Sequence, residues 1–152
     1  MRCLAPLLLA PALIAACQPA SSPAGDGPVL SYEDAFIMAP IGGRDVTMGG
    51  IRITVEGGDV TLTGARSDVA ATVETHTMAM VDDKMTMRPV ESFEIKDGET
   101  LELKRGGDHL MLFGVVPDLA AGEAANIAFT FETADGETLT LEADAEVRAR
   151  GE

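Results

Sequence analysis

The chain has 152 residues, 46% of them apolar and only 4% aromatic, with 25 acidic against 11 basic side chains for a formal charge of −14. That length suits one domain with short extras, and its core has to come mainly from Val, Ile, Leu and Ala. The charge argues against nucleic acid as a partner, because binding it requires cations that displace counterions and no Lys/Arg cluster is present; an acidic surface instead favours solubility, attracts cations weakly and suits a basic protein partner.

The chain opens with Met1-Arg2 and an apolar run from Leu4 to Ala16, too short to span a bilayer as a helix. Residues 1–16 read as a secretory signal peptide. The run ends in Leu13-Ile14-Ala15-Ala16-Cys17, which resembles the lipobox of bacterial lipoproteins, where the cysteine becomes the lipidated first residue of the mature chain. The alternative is ordinary cleavage near the same small residues. With Cys17 as a membrane anchor and Cys3 removed, the folded domain holds no cysteine, so it has neither a disulfide nor a thiolate ligand. Residues 18–28 are Pro-, Ser- and Gly-rich, the composition of a flexible tether, and the domain runs from residue 29 to 152.

Val29 to Pro40 reads as an edge strand or irregular lead-in that ends at the turn Pro40-Ile-Gly-Gly43. Thr47 to Val55 and Val60 to Ala65 alternate apolar and polar about the turn Gly57-Gly58-Asp59, and Ala70 to Val81 is a long strand. Asp82-Asp83-Lys84 turns into Met85 to Val90. Glu91 to Ile95 and Thr100 to Lys104 flank Asp97-Gly98, and Gly106-Gly107 leads into His109 to Val115. Pro117 to Ala125 reads as a loop with one helical turn. Asn126 to Thr133 and Thr138 to Ala143 form a last hairpin about Asp135-Gly136. Many short strands and Gly-rich turns, without a long helical period, predict an all-β antiparallel sandwich or barrel.

Both histidines and five of the eight methionines lie between His76 and Met111. Residues i and i+2 of a strand share a face, so His76 projects with Met78, Met85 with Met87, and His109 with Met111. Imidazole beside thioether is a soft to borderline ligand set. It favours Cu(I) and, lacking a carboxylate, argues against Ca²⁺, Mg²⁺ and Mn²⁺. No nucleophile–base pair or acidic dyad is visible, so the expectation is a binding protein and not an enzyme.

His76, ten residues, Met87, twenty-one residues, His109, one residue and Met111 reproduce the H-x10-M-x21-H-x-M pattern. This resembles the periplasmic CuA-type copper chaperones, written PCu(A)C. Ser67-Asp68-Val69-Ala70, Val73-Glu74, Met87-Arg88-Pro89-Val90, Gly106-Gly107 and His109-Leu110-Met111-Leu112 extend the similarity over Val60 to Phe131. The resemblance implies a cupredoxin-like Greek-key β-sandwich or barrel. It further implies Cu(I) held at a solvent-accessible end by His76, Met87, His109 and Met111, and delivery towards the CuA centre of cytochrome c oxidase alongside Sco-type thiol proteins. The chain departs from the family before Gly58, offering Phe36 where a Trp is usual and Thr47-Met48-Gly49-Gly50 where an aromatic-containing strand is usual.

Met78 and Met85 are candidate auxiliary ligands or a sulfur-rich rim, with packing as the default reading. Met38, Met48 and Met80 read as core filler, and Asp82, Asp83 and Asp108 as solvated turns. Two other functions fit the same residues: a copper buffer or carrier of another metal, and a metal-independent envelope interaction module.

Overall fold

A computed structural model describes residues 27–150. The expected signal peptide, Cys17 and most of the tether lie outside the described residues, and no described helix is long and apolar enough to cross a membrane. The chain forms ten strands: β1 (Val29–Met38), β2 (Val46–Glu56), β3 (Val60–Ser67), β4 (Ala70–Val81), β5 (Lys84–Pro89), β6 (Phe93–Ile95), β7 (Thr100–Leu103), β8 (His109–Val115), β9 (Ala124–Thr133) and β10 (Thr138–Arg148). The expected all-β architecture is present, and the segment from Pro117 to Glu123 is a loop without a helical turn. Pro117 at the start of that loop and Gly122 near its end, at φ 92° and so outside the helical region, leave no run long enough for a helix.

The strands run in the order β5-β4-β8-β2-β1-β10-β9-β3-β6, and β3 also pairs with β4. That extra pairing closes seven strands, β4, β8, β2, β1, β10, β9 and β3, into a barrel. The three short strands hang on its rims: β7 on β2, β6 on β3, and β5 on β4. Closure corrects the reading of the first strand. β1 is not an edge, because it lies between β2 (antiparallel) and β10 (parallel, Ile37 opposite Val147). Its sequence looked irregular because a bulge between Glu33 and Phe36, with Asp34 at φ 54°, breaks the alternation.

Alternation fills the interior. Ile51, Ile53 and Val55 point inward from β2 while Arg52 and Glu56 are exposed; Ala125, Ile127, Phe129 and Phe131 do the same on β9, and Ala143, Ala145 and Val147 on β10. The core is not purely aliphatic, since Phe129 and Phe131 are its largest fully buried side chains. The glycines of β2 have a packing reason. A Cβ on Gly50 would lie 2.6 Å from the Phe36 ring and overlap the Leu103 carbonyl oxygen, and one on Gly49 would lie 2.7 Å from the Phe36 carbonyl oxygen. Phe36 occupies the space that a larger β2 residue would need, and its ring carries the Arg148 guanidinium 4.9 Å from its centroid.

One feature of the pairing positions the candidate site. β8 pairs with β4 only as far as His76 opposite His109, whereas β5 pairs with β4 from His76 to Val81. Beyond the histidines, Thr77–Val81 and Lys84–Arg88 therefore form a two-stranded ribbon projecting past the barrel wall. Its Asp82-Asp83 turn has φ values of 50° and 61°, the left-handed pair of a type I′ hairpin. These two aspartates are exposed turn residues, as expected.

Candidate metal centre

The site lies at the root of that ribbon. Directly paired residues share a face, so the registers His76↔His109, Glu74↔Met111, Thr72↔Phe113, Met78↔Met87, Met80↔Met85 and Met48↔Met111 put all these side chains on one surface. It is the outer surface of the wall, since the alternate β8 residues Leu110 and Leu112 are fully buried in the core. Six of the eight methionines stand on it: Met48, Met78, Met80, Met85, Met87 and Met111.

Two imidazoles on an outer face would normally be wet, yet His76 and His109 are only 7% and 4% exposed. Their ring centroids are 6.1 Å apart, and the Phe113 ring lies 6.3 Å from that of His76. Hydrogen bonds define which nitrogens remain free. His109 Nδ1–H donates to the Gly107 carbonyl at 2.8 Å. In the neutral ring Nε2 then carries a lone pair, and it faces the Met87 sulfur at 3.2 Å. Both atoms are acceptors, so this contact is not a hydrogen bond in the neutral site. Two donors bound at about 2.0 Å (nitrogen) and 2.3 Å (sulfur) to one tetrahedral ion stand about 3.5 Å apart, so a shift of a few tenths of an ångström in the exposed Met87 side chain would let the pair share a soft metal.

His76 is arranged in a complementary way. Its Nε2–H donates to Glu74 Oε2 at 2.8 Å. Its Nδ1 is buried without any hydrogen-bond partner, the one such side-chain atom among the described residues. A buried acceptor without a partner costs about 1–3 kcal/mol, which a metal bond would recover. Glu74 is a neighbour of the candidate site that sequence reasoning passed over. Its i−2 position to His76 placed it on the ligand face, and a carboxylate on the outer nitrogen of a ligating imidazole sets its tautomer and orientation.

His76, His109 and Met87 are thus brought together. Met111 is on the same face but one pleat further along β8, half-buried and opposite Glu74. Met78 faces Met87 directly across the ribbon, and Met85 is 55% exposed near its tip. Two core assignments are overturned. Met80 is 65% exposed and Met48 lies half-buried on the outer face, because the face of β4 and β2 that carries them points away from the barrel interior. Met38 is buried, as expected. Among the described residues no three His, Cys, Asp or Glu side chains cluster to hold a metal ion, so any ion here needs the thioethers.

Residues 30–145 match the family described as "Putative lipoprotein LpqE-like". The chain is 30% identical over 120 residues to "Putative lipoprotein Lxx21020" of Leifsonia xyli subsp. xyli, an overlap of 78% of this chain and 70% of that protein. Among solved structures it is similar to CuI-DR1885 from Deinococcus radiodurans, with 29% identity, a TM-score of 0.54 and 78% of each chain covered. It also shares its fold with the copper-bound PCuAC domain of PmoF2, at 19% identity and a TM-score of 0.62 over 79% of this chain and 92% of that domain. The architecture is accordingly cupredoxin-like, and the chain belongs to the LpqE-like lipoprotein family.

Proposed function

We propose that the protein is an exported Cu(I) carrier that binds the ion at the ribbon root through His76, Met87, His109 and Met111. The observation that carries this reading is the set of free donors: His109 Nε2 3.2 Å from the Met87 sulfur, and a buried, unpartnered Nδ1 on His76, whose ring centroid lies 6.1 Å from that of His109. The similarity to a Cu(I)-loaded protein at 29% identity supports the choice of ion. Met111 completes the set by rotating towards His109 from the same face of β8. Neutral imidazoles and thioethers bind Cu(I) without a thiolate, so a recipient that offers thiolates can displace them one at a time. Met87, 45% exposed on the outermost strand, is the donor such a partner reaches first.

In this reading residues 1–16 direct export, Cys17 carries a lipid anchor, and the tether holds the barrel in the periplasm, where copper is handed towards the CuA centre of cytochrome c oxidase with Sco-type proteins as partners. Anaerobic Cu(I) titration of the full chain against a competing chelator tests the site: one tight equivalent should be lost in His109→Ala/Met111→Ala. Equal affinity in that variant would sink the reading. Membrane fractionation tests the anchor, since Cys17→Ala should move the chain to the soluble fraction. Measured transfer to a soluble CuA-bearing fragment separates delivery from storage; retention of the ion in its presence favours a copper buffer.

A further inference from the structure

The outer half of the ribbon is not explained by the histidine site. Past His76, its one face carries two directly opposed pairs, Met78↔Met87 and Met80↔Met85, while its other face carries Thr77, Ala79, Thr86 and Arg88. Packing does not account for the methionines at the tip. Met80 and Met85 are 65% and 55% exposed, and among the described residues they rank with the most exposed large apolar side chains. Strand propensity does not account for them either, since β-branched and aromatic residues suit such positions better. Opposed residues have Cβ atoms about 5 Å apart, close enough for two long thioethers to meet on one ion. A third sulfur, Met78, stands one pleat away on the same strand as Met80.

We propose that Met78, Met80 and Met85 form a second, weaker thioether site for a soft monovalent cation, Cu(I) or Ag(I), and that the ion steps from there to Met87 and the histidines. The geometry is a ladder of soft donors: the rungs Met80–Met85, Met78–Met87 and His76–His109 lead from the exposed tip to the buried root, successive rungs about 7 Å apart. Each transfer exchanges one neutral donor for another, thioether for thioether along the ribbon and thioether for imidazole at its root, so the ion keeps its charge and no electron or proton moves. Asp82 and Asp83 at the turn raise the local concentration of cations without offering soft ligands. The absence of an imidazole from this set makes it the weaker of the two sites, which gives inward transfer its direction. The transfer step rests on the Cu(I) reading of the histidine site; occupancy of the tip does not.

The test is titration of the full chain, ¹³C-labelled at the methionine methyls, with redox-inert Ag(I) and with anaerobic Cu(I). The wild-type protein should take up two equivalents, the first shifting the Met87 methyl and the second shifting Met80 and Met85. Met80→Leu/Met85→Leu keeps the apolar bulk on an exposed surface, so it should fold normally and lose only the second equivalent. A single equivalent in the wild type, or two in this variant, would overturn the proposal. His76→Ala/His109→Ala separates the two readings. Loss of the first equivalent with the Met80 and Met85 shifts retained supports an independent tip site, whereas loss of both equivalents refutes it and leaves the histidine site standing. An unaltered first equivalent in that variant removes the inward step, and with it the proposal as a transfer ladder.

Discussion

Glu74 offers the sharpest test of how the site is built. Its carboxylate accepts a hydrogen bond from His76 Nε2–H at 2.8 Å and thereby leaves the buried Nδ1 with its lone pair free. Removing a group that orients a ligating histidine typically costs 10–100-fold in metal affinity, about 1.4–2.7 kcal/mol. The Glu74 side chain is 46% exposed, so water screens its charge and orientation supplies most of the effect. Glu74→Gln keeps an amide oxygen that accepts from Nε2–H and should lose about tenfold or less. Glu74→Ala removes the acceptor and should approach the 100-fold end. The measurement is anaerobic competition with a Cu(I) chelator, with thermal melts of the metal-free variants showing that the barrel is intact. Glu74→Ala binding Cu(I) as tightly as the wild type would refute the reasoning, because the ring would then be held by its packing against Phe113 and His109 alone.

Three other outcomes follow from the geometry. Cu(I) shared between β5 and β8 should pin the ribbon, which is a two-stranded element and marginal alone, so hydrogen exchange of amides 77–88 should slow on loading while the β9–β10 hairpin is unchanged. Gly50→Ala should destabilise the fold by about 1–3 kcal/mol in urea unfolding, since the new methyl enters the Phe36 ring and the Leu103 carbonyl; an unchanged midpoint would show that β1 can shift away. Acid should also destabilise the barrel. The Asp97 backbone N–H and then Lys96 hold the Asp59 carboxyl below its usual range, and Lys104 and then Arg52 do the same for Glu102. Groups with depressed values contribute stability that is present above the ordinary carboxylate range and lost as pH falls through the lower folded-state values, so melting temperature should be flat above about pH 5 and decline below about pH 4. Both carboxylates are on the surface and the decline should be shallow; a melting temperature rising towards acid pH would contradict the assignment.

Local pattern made most of the strands readable. β4 and β8 were delimited in the sequence as they occur in the structure, because turn signals bound them, Asp82-Asp83 after β4 and Gly106-Gly107 before β8. β1 and β10 were less legible. A bulge hides the period of β1, and the outer residues of β10 follow two small inward alanines, Ala143 and Ala145, that carry little hydrophobic signal. Their parallel pairing joins the two ends of the domain, a contact that no local window contains.

The sequence alone determined the donor chemistry. A cysteine-free exported domain with two histidines and a run of methionines can offer soft cations only imidazole and thioether, and a period of two puts each His and its i+2 Met on one face. Only the tertiary structure decided which donors meet. Cross-strand register, not spacing, sets His76 opposite His109 and brings Met87 to the free nitrogen, while the end of the β4–β8 ladder leaves the other methionines on a projecting ribbon. Burial of a face likewise depends on barrel closure. The same alternation that sends Leu110 and Leu112 into the core turns Met80 and Met48 outward, and it supplies Glu74, whose role is invisible until the His76 ring has an orientation to hold.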